Sequence, residues 1–329
     1  MLFIHMLMPQ SEVAAVTASY IELVIGVFGL FGNVNILVAV YTRKHLRSKC
    51  ALLMALIAFY DSISIFFEFF QAFGFLFSIE FSRRECFNYI FMYSFVLHLQ
   101  IFTVLSLAVD RFVSIVFPRR YRIISAKRWI IATCIPGLIV NVVFLPWANF
   151  TMDDGITDGC NPPESLPFTV AIWWSRMTVA VNVLVVVTYI SFVIAIKINV
   201  RRFAKYAQER KENFLAQQRA AQTVSIIILV FAGTWFFTQT IAFVYYGSST
   251  LSEQFWFQAL SETAAVPVMF GYSLNYYVYF WRSSEYRRVF KDQLRLLIPC
   301  AKRKFLFSKS QSHTSVKRNV VCPNGTSCN

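Results

Sequence analysis

The sequence predicts an all-α fold: a seven-transmembrane helix bundle with a short amphipathic eighth helix. Three observations carry this. The chain is 57% hydrophobic and only 15% charged, against about a quarter charged in soluble domains. Apolar runs long enough to cross a bilayer, at about 1.5 Å of rise per residue, recur seven times. The basic residues are also unevenly placed, with 28 of the 31 lysines and arginines on one side of such a bundle. The net charge of +14 would suit a nucleic-acid binder, but those proteins are not this apolar, so no nucleic-acid partner is expected. The organisation read from this is an N-terminal segment 1–16, a bundle with its eighth helix over 17–297, and a tail over 298–329.

The first span covers about 17–41 and holds Gly32-Asn33 deep in an apolar run. Met1 to Gln10 carries no lysine or arginine and no small-residue cleavage pattern, so this span is expected to serve as its own targeting signal. The second span, about 51–78, carries Asp61 and Glu68 in its apolar body. Two turns apart, they share a face, and buried acids of this kind point to a bundle interior or a wet cavity. The third span begins at Cys86 and runs without Asp, Glu, Lys or Arg to Val109, where Asp110-Arg111-Phe112 ends it. Tyr93 lies 18 residues before Arg111, five turns away on the same face. His98 reads as a hydrogen-bonded core residue.

The fourth span, about 128–148, contains Pro136 and Pro146, which membrane helices tolerate. An acidic loop with Cys160 follows, and Asn149-Phe150-Thr151 is a glycosylation sequon. The fifth span, about 168–197, opens with Trp173-Trp174, suited to a membrane interface. The polar segment 197–219 is expected to extend the fifth and sixth helices beyond the bilayer. The sixth span then runs to about 246, with Phe231 and Trp235 one turn apart, and the seventh is expected as one helix over about 255–281. Tyr286, Val289, Phe290, Leu294 and Leu297 repeat at helical spacing, which predicts a basic amphipathic helix lying on the membrane. Cys300 beyond it is a palmitoylation candidate. The basic, serine-rich tail is expected to be disordered and open to kinases.

Orientation follows from charge. The loops 42–49 and 117–128, the segment 197–219 and the tail hold nearly all the basic residues, while Arg83, Arg84 and Arg176 are the remainder. Basic loops mark the cytoplasmic side. The N-terminus is therefore expected outside and the tail in the cytoplasm, in a multi-pass protein of the plasma membrane.

Gly32-Asn33, Asp61, Cys86, Asp110-Arg111-Phe112, Pro118, Phe231-x-x-x-Trp235 and Asn275-x-x-x-Tyr279 stand in the order seen in rhodopsin-like G-protein-coupled receptors, which the chain resembles over about 17–297. The run Thr42 to Cys50, the phenylalanine-rich helices and Glu285-Tyr286-Arg287-Arg288 are similar to nematode chemoreceptors of serpentine receptor class SX. The chain departs from the broader pattern in several places. Phe112 replaces a tyrosine, the fourth span lacks a central tryptophan, and Val181, Phe237 and Tyr276 stand where prolines are usual.

The resemblance implies a disulfide between Cys86 and Cys160, in the oxidising outer compartment. It implies a coupling and switch set of Asp110, Arg111, Phe112, Pro118, Tyr189, Asn275 and Tyr279, and a polar core at Asn33 and Asp61. No organic cofactor is implied, only the sodium ion that many members hold near the acid at Asp61. Gln71, Tyr93, Leu97, Trp235, Gln239 and Glu262 are the pocket candidates by helical position. Tyr93 stands where amine receptors carry an aspartate, and lacks a charge to offer an ammonium, so a biogenic amine is disfavoured. Gln217 stands where many relatives hold an acid that pairs with the helix-three arginine. The implied partners are an extracellular small molecule or peptide, a heterotrimeric G protein, arrestin and kinase at the tail, and membrane lipids.

The rival readings are a receptor-like protein that does not couple, and a transporter or channel. The second lacks paired Gly/Pro-broken halves. A retinal Schiff base is excluded because 255–281 contains no lysine. No catalytic motif points to an enzyme.

Overall fold

A computed structural model describes residues 10–157, 160–162, 164–203, 208–247 and 254–297. Helix α1 spans Gln10–Thr42 and a single 3₁₀ turn, Lys44–Leu46, leads to α2, Lys49–Leu76. Strand β1 (Phe81–Ser82) precedes α3 (Arg83–Val116), which is followed by α4 (Pro118–Ile123) and α5 (Ala126–Phe150). Strand β2 (Ile156–Thr157) pairs antiparallel with β1. Then come α6 (Phe168–Phe203), α7 (Gln208–Gly247), α8 (Phe255–Glu262), α9 (Ala265–Ser273) and α10 (Asn275–Arg282).

Local chemistry sets the helix starts. Ser48 and Ser125 accept hydrogen bonds from the backbone N–H groups of Ala51 and Arg128, capping α2 and α5. Ser82 and Glu85 form a reciprocal capping box at the start of α3. Pro118 opens α4 at its first turn, where a missing N–H costs nothing.

Among the described residues, α1, α2, α3, α5, α6 and α7 are long and apolar enough to cross a membrane. Their outward faces carry large apolar side chains such as Phe28, Phe66, Val142 and Ile190, all more than 50% exposed. Helices apolar on every side require lipid outside as well as protein inside. Helix α3 is the hub, packing against α2, α5, α6 and α7. Helix α1 lies close to α2 and α9, and Gly29 is what permits it. A Cβ there would sit 2.2 Å from the Ser273 hydroxyl and 2.8 Å from Ile65. Gly137 does the same where α5 crosses α3, since a Cβ would meet the His98 carbonyl oxygen at 3.0 Å.

Three expectations need correction. The first helix begins at Gln10 rather than at about residue 17. The loop 117–128 contains α4, because Pro118 starts a helix as readily as it ends one. The seventh span is not one helix but three pieces, α8, α9 and α10. Pro267 explains the first break. It has no N–H for the carbonyl of Thr263 and its ring crowds that oxygen, and the helix is interrupted at Thr263-Ala264. By contrast α6 and α7, with Val181 and Phe237 where prolines are usual, run unbroken through those positions.

The segment from Ser284 forms a separate unit. Within it, α11 (Ser284–Leu297) is amphipathic: Tyr286, Val289 and Phe290 are buried while Arg288 and Lys291 are exposed. Cys300 and the tail lie outside the described residues.

Candidate functional site

Two ends of the bundle carry the candidate side chains, joined by a polar layer. At one end Cys86 and Cys160 are bonded, with Cα atoms 5.4 Å apart. The loop that holds Cys160 is tied to the start of α3 again by the β1–β2 pair and by ion pairs from Arg83 to Asp153 and from Arg84 to Asp154 (2.7 Å). The Gly155 backbone N–H, with help from Arg83, holds the Asp153 carboxyl below its ordinary range.

Below this strap is a cavity of about 170 Å³. Gln71, Tyr93, Leu97, Trp235, Gln239 and Glu262 all line it. So do Glu68, Trp174 and Tyr272, which position reasoning did not place there. The Tyr93 hydroxyl donates to Glu68 Oε1, and the two rings Trp235 and Tyr272 meet edge to face at 6.4 Å. His98 lies deeper, 2% exposed, with its Nδ1 2.6 Å from Asn141 Oδ1. Asn141 also donates to the Phe95 carbonyl (3.0 Å), so one amide stitches α5 to α3 in a fourth span without a central tryptophan.

The middle layer centres on Asp61, fully buried. Asn275 donates to its Oδ2 at 2.7 Å and Gln100 donates to its Oδ1. The Gln100 carbonyl oxygen accepts from Ser64 at 3.3 Å, which fixes the orientation of that amide. Asn33 donates to the Tyr272 backbone oxygen (3.0 Å), tying α1 to α9. This donor set does not fit a sodium ion. Two NH₂ groups, not oxygens, face the carboxylate, and a hard cation requires oxygens. Among the described residues no cluster of three His, Cys, Asp or Glu is placed to hold a metal.

At the other end Asp110 is fully buried and pairs with Arg111, whose Nε lies 3.0 Å from Oδ2. The Tyr121 hydroxyl, from α4, donates to Asp110 Oδ1 at 2.8 Å and lies 3.4 Å from Arg111 Nη2. Lys49 caps the same ring, with Nζ 4.0 Å from its centroid. Burial pushes the Tyr121 phenol above its ordinary range and the Asp110 carboxylate adds to this, so it stays a proton donor at neutral pH. Phe112 is half-buried and Pro118 exposed beside this cluster. Tyr279 is buried on α10, and Tyr189 on α6 packs against Phe192 at 6.3 Å. The side chain of Gln217 lies outside the described residues.

The family model described as serpentine type 7TM GPCR chemoreceptor Srsx matches residues 26–294. The chain belongs to that family. No curated protein matches it. The Srsx match makes it a multi-pass membrane protein of the seven-transmembrane class, with the broken α8–α10 rod as its seventh span.

For this serpentine chemoreceptor, sequence reasoning missed Tyr121 as the partner of Asp110, and Trp174 as a cavity wall. Position in the chain gave no signal for Tyr121, because it sits in a segment read as a loop. Glu22 was also passed over. It is 5% exposed on α1 and within electrostatic range of Glu68 and Glu262. An acid in an apolar span is a readable signal. Asn149 is exposed in the last turn of α5, and the hydroxyl of Thr151 donates to the Trp147 carbonyl at 2.8 Å. The sequon is thus folded into a helix end, and a glycan there requires that turn to open.

Proposed function

We propose that this protein is a chemosensory G-protein-coupled receptor of the plasma membrane, with its N-terminus outside and its tail in the cytoplasm. A ligand entering from the disulfide end would occupy the cavity and shift the bundle between two states. It can do so only by binding one state better than the other. The observation that carries this reading is the continuity from cavity to core. Tyr272 lines the cavity, and Asn275, one turn on in the same span, holds Asp61. Movement of the Tyr272 wall therefore bears directly on the polar layer. The coupling step would free Arg111 from Asp110 and Tyr121 so that a G-protein helix can dock by its apolar face. Asp110, Arg111, Phe112, Pro118, Tyr189, Asn275 and Tyr279 are the proposed switch set. Arrestin and kinase would act on the tail, and basic loops would hold anionic lipid.

The test is a ligand screen with second-messenger readout, repeated on Arg111→Ala at matched surface expression. The expected result is a response in the wild type that the variant loses. A response unchanged in Arg111→Ala would remove the coupling role. Ligand binding without any G-protein activation would support the non-coupling alternative, which Phe112 and the absent prolines keep in play. Uptake or current without G protein would favour a transporter or channel.

A further inference from the structure

The cavity has a chemical sign. Glu68, Glu164 and Glu262 line it, and among the described residues no lysine, arginine or histidine does. The nearby arginines are occupied elsewhere: Arg83 and Arg84 pair with Asp153 and Asp154, and Arg176 lies over the Trp173 ring at 5.5 Å.

Acidic lining alone would say little, but the hydrogen-bond inventory adds an independent observation. Glu68 is 96% buried on its 4% exposure, and only one of its carboxylate oxygens is used, by the Tyr93 hydroxyl. Its Oε2 is buried with no partner. Gln239, 3% exposed on the same wall, has an unpartnered Oε1. Buried acceptors without donors are costly and rare. Two of them on one cavity call for an occupant that brings N–H groups. Trp174, Trp235 and Tyr272 supply aromatic surface around the same space, which favours a cation over a neutral donor. Two further buried groups on the cavity wall, the Trp235 Nε1–H and the Tyr272 hydroxyl, can donate and suit acceptors elsewhere on the same molecule. A cavity of about 170 Å³ is smaller than the roughly 300–1,000 Å³ of drug-sized sites, which argues for a small molecule over a peptide.

We infer that the cavity binds a small organic cation, an ammonium or amidinium, with its N–H groups on Glu68 Oε2 and Gln239 Oε1. This rests on the receptor reading above only for the cavity being the ligand site. It reverses the expectation drawn from Tyr93. That tyrosine does not replace the missing acid of α3. It orients an acid supplied by α2.

The experiment uses full-length receptor in lipid nanodiscs and reads binding by ligand-induced thermal shift and titration. The probes are phenethylamine, isobutylamine and agmatine, each paired with a neutral isostere and a carboxylate of matched size. The expected result is that at least one cation binds and its isostere does not. Glu68→Gln should then weaken that cation by about tenfold to a hundredfold, the range of a lost charged hydrogen bond, while leaving the melting temperature without ligand close to wild type. If Glu68→Gln fails to fold, Glu262→Gln should give a smaller loss in the same direction. Neutral or carboxylate compounds binding as well as the cations would overturn the inference. So would a panel in which no cation binds, or cation binding untouched by both variants. Cation binding without nucleotide exchange on a G protein supports the ligand class and counts against coupling. Exchange driven by a neutral compound supports coupling and overturns the ligand class.

Discussion

The two ends of this bundle differ in how their polar groups are met. At the Arg111 end the buried carboxylate of Asp110 has a guanidinium on one oxygen and the Tyr121 phenol on the other. At the disulfide end the buried carboxylate of Glu68 has one oxygen bonded and one without a partner. Both acids lie in membrane helices, where an unmet charge is expensive. The first is neutralised within the chain, and the second awaits something from outside it. A satisfied cluster holds a conformation, whereas an unsatisfied one beside a cavity selects a molecule.

Four experiments test that contrast. The largest effect is expected at the strap. Cys160→Ser removes the covalent tie between the loop and α3, a loss of about 2–5 kcal/mol for small disulfide-stabilised folds. Surface labelling of cells should show most of the folded receptor gone. Normal surface levels would mean that the β1–β2 pair and the Arg83 and Arg84 ion pairs suffice to hold the loop.

Next comes the shared middle layer. Gln100→Leu removes a donor from the buried Asp61 carboxylate and strands the Ser64 hydroxyl. The melting temperature of purified receptor should fall by an amount equivalent to about 1–3 kcal/mol. An unchanged melting temperature would show that Asn275 alone satisfies the acid.

A smaller effect is expected at the closed end. Tyr121→Phe deletes one hydrogen bond to Asp110, worth about 0.5–1.5 kcal/mol. Because that bond helps to hold Arg111 in place, ligand-free nucleotide exchange should rise several-fold, about as that energy shifts an equilibrium. Basal exchange equal to wild type would remove Tyr121 from the lock.

The smallest effect is pH dependence of the strap. The Asp153 carboxyl sits below its ordinary value of 3.8 when folded. Its contribution is therefore fully present above that value and is lost as pH falls through the lowered one. The side chain is exposed, so screening by water keeps the change small. A thermal melt series into the acid range should show a slight loss that Asp153→Asn abolishes. A series of the same shape in both proteins would assign the loss to other carboxylates.

Periodicity and charge made the seven spans legible because a membrane helix must be apolar for its whole length. The six pocket candidates were legible because helical position alone brings Tyr93, Trp235 and Glu262 to one depth. What the sequence left hidden depends on side chains from distant segments. Tyr121 meets Asp110 only because Pro118 starts a helix that turns the ring back under α3. Glu68 was seen as an acid in an apolar span, yet its unpaired oxygen is a property of the assembled cavity. The three-piece seventh span was legible in principle, since Pro267 stands in the middle of it.

Pro267 gives the last span a joint. Between Glu262 and Tyr272, which both line the cavity, the α-helical ladder of hydrogen bonds is interrupted at Thr263-Ala264. Tighter bonds bridge the joint instead, from the Ala264 N–H to the Ser261 carbonyl at 3.1 Å and from the Val266 N–H to the Thr263 carbonyl at 3.2 Å, while the Ala264 carbonyl accepts from the Thr238 hydroxyl at 2.8 Å. Beyond the joint, the Tyr272 carbonyl on α9 holds Asn33 and Asn275 on α10 holds Asp61, so one wall of the cavity and the polar layer belong to the same end of the span.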